Sequence, residues 1–176
     1  MPMAKNLVEL RDVYKIYGEG RESEVRALDG VSLTIGKGEF VAVVGQSGSG
    51  KSTMMNVLGC LDIPTRGTYL LGGTDVRELT DKELSHIRTK QIGFIFQQYN
   101  LIQSLTVLEN VELPLIYQGV NADDRRDMAL EALARVGLAN RIKHRPVEMS
   151  GGQQQRVAIA RAIATKPPII MADEPT

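Results

Sequence analysis

The sequence predicts an α/β fold with a parallel sheet. Three short apolar runs, at residues 40–44, 92–96 and 169–172, have the composition of buried strands, and helical patterns lie between the second and the third. Two earlier segments, at residues 7–10 and 27–35, alternate apolar and polar residues as half-buried strands do. At 176 residues the chain has the size of one domain with a substantial core.

The other elements are predicted from local signals in the sequence. Thr80 and Asn121 are good N-caps, and Gly137 is placed to end the helix that Asn121 begins. Pro167 stops a later helix just before the strand at residues 169–172. A short strand is predicted at residues 68–71, and helices are predicted from about residue 50 and over residues 81–89, 107–117, 121–137 and 151–165.

Composition excludes several classes of protein. Basic and acidic residues number 21 each, so the chain has no excess of positive charge that would indicate nucleic acid as a partner. No apolar run approaches the ~18 residues of a membrane span, and residues 1–6 do not form a signal peptide. The single cysteine, Cys60, rules out an internal disulfide, and His86 and His144 are far apart in the sequence. We therefore expect a cytoplasmic protein without a structural metal site.

A glycine-rich loop follows the first apolar run and precedes a helix, in the pattern G-x-x-x-x-G-K-[ST]. Its glycines allow successive backbone N–H groups to point at one anion, and the helix adds the positive end of its dipole. Lys51 is expected to reach the β- and γ-phosphates, and Ser52 offers a hydroxyl to Mg²⁺. A plain Gly/Ser connection is the alternative, but such a match seldom arises by chance. The predicted phosphate site is Gly45, Gln46, Ser47, Gly48, Ser49, Gly50, Lys51, Ser52 and Thr53.

Two carboxylates follow the last apolar run. Asp173 is placed to hold the water shell of the Mg²⁺ ion, and Glu174 to polarise a water for attack on the γ-phosphate. Alone, an acidic pair at a strand end is ordinarily a solvated turn. Together with the glycine-rich loop it predicts a site for nucleotide hydrolysis.

A second helix start also has the character of an anion site. Ser150 is a good N-cap, and Gly151 and Gly152 leave the first N–H groups approachable by a bulky anion; Gln153 follows. The loop at residues 45–53 already surrounds one triphosphate, so this helix start is expected to serve a different nucleotide. A plain capped helix is the alternative.

These motifs, with Phe96-Gln97-Gln98 between them, resemble the ATP-binding-cassette family in identity and order. The Ser-Gly-Gly-Gln signature is specific to that family, and the resemblance covers essentially the whole chain. It implies one nucleotide-binding domain over residues 1–176, with a phosphate-loop ATPase core, a small antiparallel β subdomain and a helical signature subdomain at about residues 98–150. Further motifs resemble the branch for macrolide export and lipoprotein release: Leu58-Gly59-Cys60-Leu61-Asp62, Glu112-Leu113-Pro114 and Gln153-Gln154-Gln155-Arg156.

The resemblance also implies roles for individual residues. Tyr17 is expected to stack on the adenine ring, with a packed loop tyrosine as the alternative. Gln97 is expected to sense Mg²⁺ and the γ-phosphate, which makes Ser52, Gln97 and Asp173 the predicted metal-contacting set. Ser150 and its neighbours are expected to contact ATP held by the other subunit of a head-to-tail dimer. Met149 replaces the usual leucine of the signature, with little expected consequence.

The resemblance further predicts that residues 1–176 are a part of a longer ATPase, because family members continue beyond the acidic pair. The absent segment would carry a central strand, so residues 41–44 and 169–172 are expected to lack hydrogen-bond partners on one side. As an isolated chain, residues 1–176 are expected to be unstable or aggregation-prone and weak in hydrolysis.

The leading functional hypothesis is an ATPase subunit that uses ATP and Mg²⁺ to drive export or lipoprotein release. It is expected to work as a homodimer or with a paired ATPase subunit, on an integral-membrane permease, at the cytoplasmic face of the membrane and without nucleic acid. One alternative is a nucleotide-binding module without turnover. Another is a soluble cassette ATPase that takes no part in transport. The transported substrate is bound by the permease, so the hypothesis does not name it.

Overall fold

The computed structural model describes residues 6–174, which form two compact units divided between Ser85 and His86. The strands are β1 (Asn6–Tyr17), β2 (Val25–Gly36), β3 (Arg66–Leu71), β4 (Thr74–Asp75), β5 (Ile92–Ile95) and β6 (Ile169–Ala172). The α-helices are α1 (Lys51–Leu58), α2 (Asp81–Gln91), α3 (Val107–Tyr117), α4 (Ala122–Arg135) and α5 (Gly151–Ala164). Short 3-10 turns lie at Val76–Glu78 and Pro146–Glu148.

The first unit is built on an antiparallel sheet with the strand order β2-β1-β3-β4. Leu10 of β1 pairs with Leu33 of β2 on one side and with Tyr69 of β3 on the other. Tyr69 is fully buried and its hydroxyl donates to the carbonyl of Leu58 at 2.7 Å, which ties the end of α1 to the sheet. The strands predicted at residues 7–10, 27–35 and 68–71 are confirmed, and β1 and β2 are longer than predicted.

The strand predicted at residues 40–44 is wrong. The structure places no strand there, and the side chains of Phe40 and Val44 are 97% and 87% exposed. A strand exists only if its backbone groups pair with a neighbour, and none of the strands within residues 6–174 forms a ladder with this segment. The apolar pattern is compatible with a buried strand, but no described strand pairs with the segment.

The second unit combines three packed helices with a two-stranded parallel sheet. Its core lies between α3, α4 and α5 and includes fully buried Val111, Leu115, Leu133 and Val157. In the sheet, Ile92 of β5 pairs with Ile169 of β6. Among the described strands β6 has no neighbour on its other edge.

Two close contacts fix the second unit around these elements. α5 packs directly on β5 at Gly93, where a Cβ would lie 2.5 Å from the carbonyl oxygen of Ala162. The buried carboxamide of Asn110 on α3 accepts from the N–H of Ile102 at 2.8 Å and donates to the carbonyl of Thr106 at 2.9 Å. The backbone before α3 is therefore held by a side chain that does not meet water.

Candidate nucleotide-binding site

The glycine-rich loop is confirmed as a tight turn in front of α1. Gly48 and Gly50 have φ values of 79° and 88°, in the left-handed region that favours glycine. The N–H of Ser49 donates to the carbonyl of Gln46 at 3.2 Å. A Cβ at Gly45 would come within 2.4 Å of the Ser49 hydroxyl oxygen. The glycines are thus needed for the shape of the loop, as the sequence pattern predicts.

The side chain of Lys51, the first residue of α1, contacts the backbone of the glycine-rich loop. Its ammonium nitrogen donates to the carbonyl oxygens of Gly45 and Gln46, both at 2.8 Å. A lysine ammonium has three N–H donors, so these two bonds leave one for another acceptor. The cation is therefore held at the loop by its backbone carbonyls.

The N-terminus of α1 differs from those of the other helices. Its N-cap is Gly50, which provides no side-chain acceptor, and its first turn contains no acidic residue. By contrast, Asn121 caps α4 and accepts from the N–H of Asp124 at 3.0 Å. An α-helix begins with N–H groups that have no partner within the helix, and with the positive end of its dipole. At α1 these groups are left for an anion, which is the requirement of a phosphate site.

Tyr17, at the end of β1, is anchored by two residues that the sequence reasoning did not assign to the site. Its hydroxyl donates to a carboxylate oxygen of Asp62 at 2.9 Å. Asp62 also pairs with the ammonium of Lys15, which lies 5.1 Å from the centroid of the Tyr17 ring. The ring remains 41% exposed. Because 45 residues separate Tyr17 from Asp62, no local spacing in the sequence indicates this contact.

The electrostatics of this cluster follow from its hydrogen bonds. Burial raises the pKa of Tyr17, the hydrogen bond and charge of Asp62 raise it further, and a hydrogen bond with Thr53 opposes the change. Burial raises the pKa of Asp62, but hydrogen bonds from Lys15 and Tyr17 outweigh it, so that this pKa lies below its ordinary value. Tyr17 therefore stays a protonated donor to Asp62.

Removing the Asp62 charge tests whether this anchor matters for the base of a nucleotide. In Asp62→Asn we expect weaker binding of ATP, by about 3- to 10-fold, because the Lys15 pair and the strong acceptor for Tyr17 are lost. Binding of inorganic tripolyphosphate, which has no base, is expected to stay unchanged. Both affinities are measured by isothermal titration calorimetry, with Asp29→Asn, an exposed carboxylate on β2, as the control. Equal weakening for both ligands would contradict the prediction.

In the second unit, the structure brings Gln97 and Glu174 together. They follow the neighbouring parallel strands β5 and β6, and the carboxamide nitrogen of Gln97 donates to a carboxylate oxygen of Glu174 at 2.8 Å. Asp173 continues the strand pairing, since its N–H donates to the carbonyl of Ile95 at 3.0 Å. A carboxylate oriented by an amide, at the carboxyl end of a parallel sheet, is suited to hold and polarise a water molecule.

The start of α5 is a capping box. The hydroxyl of Ser150 accepts from the N–H of Gln153 at 3.3 Å, and the side-chain oxygen of Gln153 accepts from the N–H of Ser150 at 2.9 Å. Gly151 and Gly152 are exposed, and their N–H groups take no part in the box. A Cβ at Gly152 would meet nothing within 4 Å. The helix start is thus both well capped and sterically open.

The site residues predicted from the sequence fall into two groups, one in each unit. Tyr17 and residues 45–53 belong to the first unit, and Gln97, residues 150–153 and the acidic pair belong to the second. Within residues 6–174, no three His, Cys, Asp or Glu side chains form a cluster that holds a metal ion. Over the same range, no helix is both long and apolar enough to cross a membrane.

The loop, its lysine and the uncapped helix together define the phosphate-loop class of nucleotide-binding proteins. The chain belongs to the ABC transporter family, whose sequence model matches residues 28–176. A dimeric, post-hydrolysis structure of the ATP-binding cassette MJ0796, bound to ADP and Pi, is 52% identical. It has a TM-score of 0.87 and covers 96% of this chain and 74% of that one. The predicted fold class, an ABC ATPase core with a parallel and an antiparallel sheet, is confirmed.

Two relatives of different length are similar to nearly the whole of this chain. The macrolide export ATP-binding/permease protein MacB of Hyphomonas neptunium is 56% identical over 174 residues, which are 99% of this chain and 27% of that protein. An uncharacterized ABC transporter ATP-binding protein of Thermotoga maritima is 55% identical over 172 residues, which are 98% of this chain and 73% of that protein. The chain therefore spans about a quarter of the first relative and about three quarters of the second.

Proposed function

We propose that this chain binds ATP with Mg²⁺ and hydrolyses it, as the nucleotide-binding part of an exporter. The observation that carries the proposal is the start of α1. There, a glycine N-cap leaves the first N–H groups for an anion, and Lys51 is fixed at the loop by two hydrogen bonds of 2.8 Å. The structural relative MJ0796, which is bound to ADP and Pi, supports a nucleotide as the anion.

The residues present fit a magnesium ion by their chemistry. Mg²⁺ prefers oxygen ligands, keeps several of its waters and needs only one or two groups from the protein. The absence of a three-residue cluster among residues 6–174 is compatible with this requirement. Ser52 offers a hydroxyl, Gln97 an amide oxygen and Asp173 a carboxylate, and we propose each of them as a contact of the ion or of its water shell. When bound, the ion neutralises charge on the β- and γ-phosphates.

In the proposed reaction Glu174 acts as the general base. Its carboxylate accepts a proton from the attacking water, and the hydrogen bond from Gln97 at 2.8 Å fixes the orientation of that carboxylate. Lys51 and the N–H groups of α1 stabilise charge on the phosphate oxygens. Tyr17 offers its exposed ring to the adenine, with Lys15 near the ring and Asp62 holding its hydroxyl.

We propose that the working unit is a pair of cassettes on a membrane permease. The dimeric structure of MJ0796 supports the pairing, and the capped, open start of α5 is suited to contact a phosphate from a second subunit. MacB of Hyphomonas neptunium carries an ATP-binding part and a permease in one protein. This supports export as the process and the cytoplasmic face of the membrane as the location.

The test is ATP binding and phosphate release by the purified chain beside Lys51→Ala. We expect a fluorescent ATP analogue to bind the wild type in the presence of Mg²⁺, and Lys51→Ala to lose at least ~10-fold in affinity because a charged donor to the phosphates is gone. The control is Lys37→Ala, which removes an exposed lysine from the same unit and is expected to have no effect. Equal binding by wild type and Lys51→Ala would overturn the proposal.

A second candidate function is nucleotide binding without turnover. It is favoured by residues 40–44, which lead into the glycine-rich loop without the predicted strand. A loop that is anchored on one side only is less well fixed for catalysis. Binding of the ATP analogue with no Lys51-dependent phosphate release would select this candidate over the ATPase.

A further inference from the structure

The turn that follows β5 is strained. Tyr99 and Asn100 are consecutive residues with φ values of 58° and 47°, in a region that non-glycine residues occupy at a cost. The N–H of Tyr99 donates to the carbonyl of Phe96 at 3.0 Å, and the N–H of Asn100 to that of Gln98 at 2.6 Å. The two acceptors are the residues on either side of Gln97, so the conformation of the turn constrains the backbone from which the Gln97 side chain extends.

Arg161 on α5 holds this turn. Its two terminal nitrogens donate to the carbonyl oxygens of Asn100 and Tyr99, each at 2.7 Å. The side chain is partly buried, and burial lowers the pKa of the guanidinium. The ion pairs found among residues 6–174 do not include Arg161. The guanidinium fork, which is the pair of terminal nitrogens of Arg161, therefore donates to two backbone carbonyls. A planar guanidinium suits such a double contact better than an ammonium does.

Tyr99 also extends to the start of the same helix. A Cβ on Gly151 would lie 3.7 Å from the Tyr99 hydroxyl oxygen. The strained turn thus meets α5 at two places, through its carbonyls at Arg161 and through the Tyr99 hydroxyl, which lies close to Gly151. Packing of α5 on β5 does not depend on the guanidinium, because the helix also meets the strand at Gly93.

We propose that Arg161 is a positioning residue for hydrolysis, which acts through the Tyr99–Asn100 turn to place the Gln97 amide on Glu174. The inference rests on the proposed function, in which Glu174 is the general base. Two sets of hydrogen bonds, one at Arg161 and one at Gln97, are joined by the backbone of residues 97–100. Arg161 fixes two carbonyls, the turn fixes Gln97, and Gln97 donates to Glu174 at 2.8 Å. Loss of the fork is expected to relax the turn and misplace the amide, while the phosphate-binding loop in the first unit stays intact.

The first test needs no turnover and uses hydrogen–deuterium exchange of the full chain. Within residues 97–101 the amides of Tyr99 and Asn100 are the ones that the turn protects by hydrogen bonds. In Arg161→Met, which keeps an unbranched apolar stem, these two amides are expected to exchange at least ~10-fold faster because opening of the turn is no longer opposed by the two charged bonds. Amides within α5 are expected to keep their protection. Arg161→Lys, which retains the charge but contacts one carbonyl at a time, is expected to be intermediate. Unchanged exchange at residues 97–101 in both variants would overturn the proposal.

The second test is turnover, with a double mutant. Arg161→Met is expected to lower kcat by about 10- to 100-fold with little change in KM for ATP, because the misplaced amide affects orientation for reaction. Combining it with Gln97→Ala is expected to cause no further loss, since both changes remove the same contact. Arg156→Met, at an exposed position of the same helix, is the control and is expected to match the wild type.

The outcomes separate this proposal from the proposed function. Additive losses in the double mutant would show that Arg161 does not act through Gln97. A wild type that releases no phosphate would refute the proposed function, and the exchange experiment would still decide whether Arg161 holds the turn. Arg161→Lys keeps the test valid if Arg161→Met does not fold.

Discussion

Replacing Glu174 with glutamine is expected to reduce phosphate release by about 10²- to 10⁴-fold, the usual contribution of a general base. Glutamine keeps the shape and an oxygen acceptor for the Gln97 amide, which lies 2.8 Å from the carboxylate in the structure. It does not accept a proton from water at neutral pH. Binding of ATP is expected to be retained, because the change removes a negative charge and no phosphate-binding group. Phosphate release and nucleotide affinity are measured on the same preparation.

The control for this prediction is Glu131→Gln in the same unit. Glu131 forms an exposed ion pair with Lys166 at 3.3 Å, and such surface pairs contribute little to stability. Its turnover is expected to equal that of the wild type. If Glu174→Gln also retained normal turnover, Glu174 would not be the base, and another group would have to polarise the water.

Local signals account for the parts of the fold that the sequence predicts well. The helix predicted over residues 107–117 has those bounds in the structure, and Asn121 is the N-cap of the next helix as predicted. Such features depend on caps, turns and periodicity within a few residues. The strand at residues 169–172 is likewise found where its apolar run lies.

The failure at residues 40–44 has a different origin. An apolar run predicts that a segment is suited to a sheet interior, but a strand also needs partners, and these are set by the rest of the chain. Within residues 6–174 no ladder forms on this segment, and Val44 stays exposed. Ile170 on β6 is 51% exposed, and β6 pairs with a described strand on one edge only.

In the candidate site, too, features set by neighbouring residues are predictable from the sequence, and contacts between distant residues are not. The glycine pattern predicts a phosphate loop, because Gly48 and Gly50 shape the loop and Lys51 supplies its cation, and all three lie within four residues of the sequence. The anchors of the site are missed: Asp62 holds Tyr17 across 45 residues, and Arg161 holds Tyr99 across 62. Neither pair has a spacing that a sequence pattern detects. Residue type indicates which chemistry is available, and only the fold shows which side chains keep it in place.

Gly50→Ala is expected to lower the free energy of unfolding by about 2–5 kcal/mol. The left-handed conformation at Gly50, with φ at 88°, costs an alanine about 1–2 kcal/mol. The added Cβ would also lie 2.4 Å from the carbonyl oxygen of Ala27, and a contact with backbone is relieved only by moving β2 or α1, at about 1–3 kcal/mol. Urea denaturation measures the change, and ATP binding is expected to weaken because the start of α1 shifts.

Gly38→Ala separates the two causes of this effect. Gly38 has a similar φ of 82°, but a Cβ there meets nothing within 4 Å, so this variant is expected to lose only the conformational cost of about 1–2 kcal/mol and to keep its ATP affinity. A larger loss in Gly50→Ala than in Gly38→Ala would show that α1 begins against the carbonyl of Ala27. Equal losses, with unchanged ATP binding, would mean that the loop and β2 move apart at little cost, and that the contact between Gly50 and the carbonyl of Ala27 does not fix the start of α1.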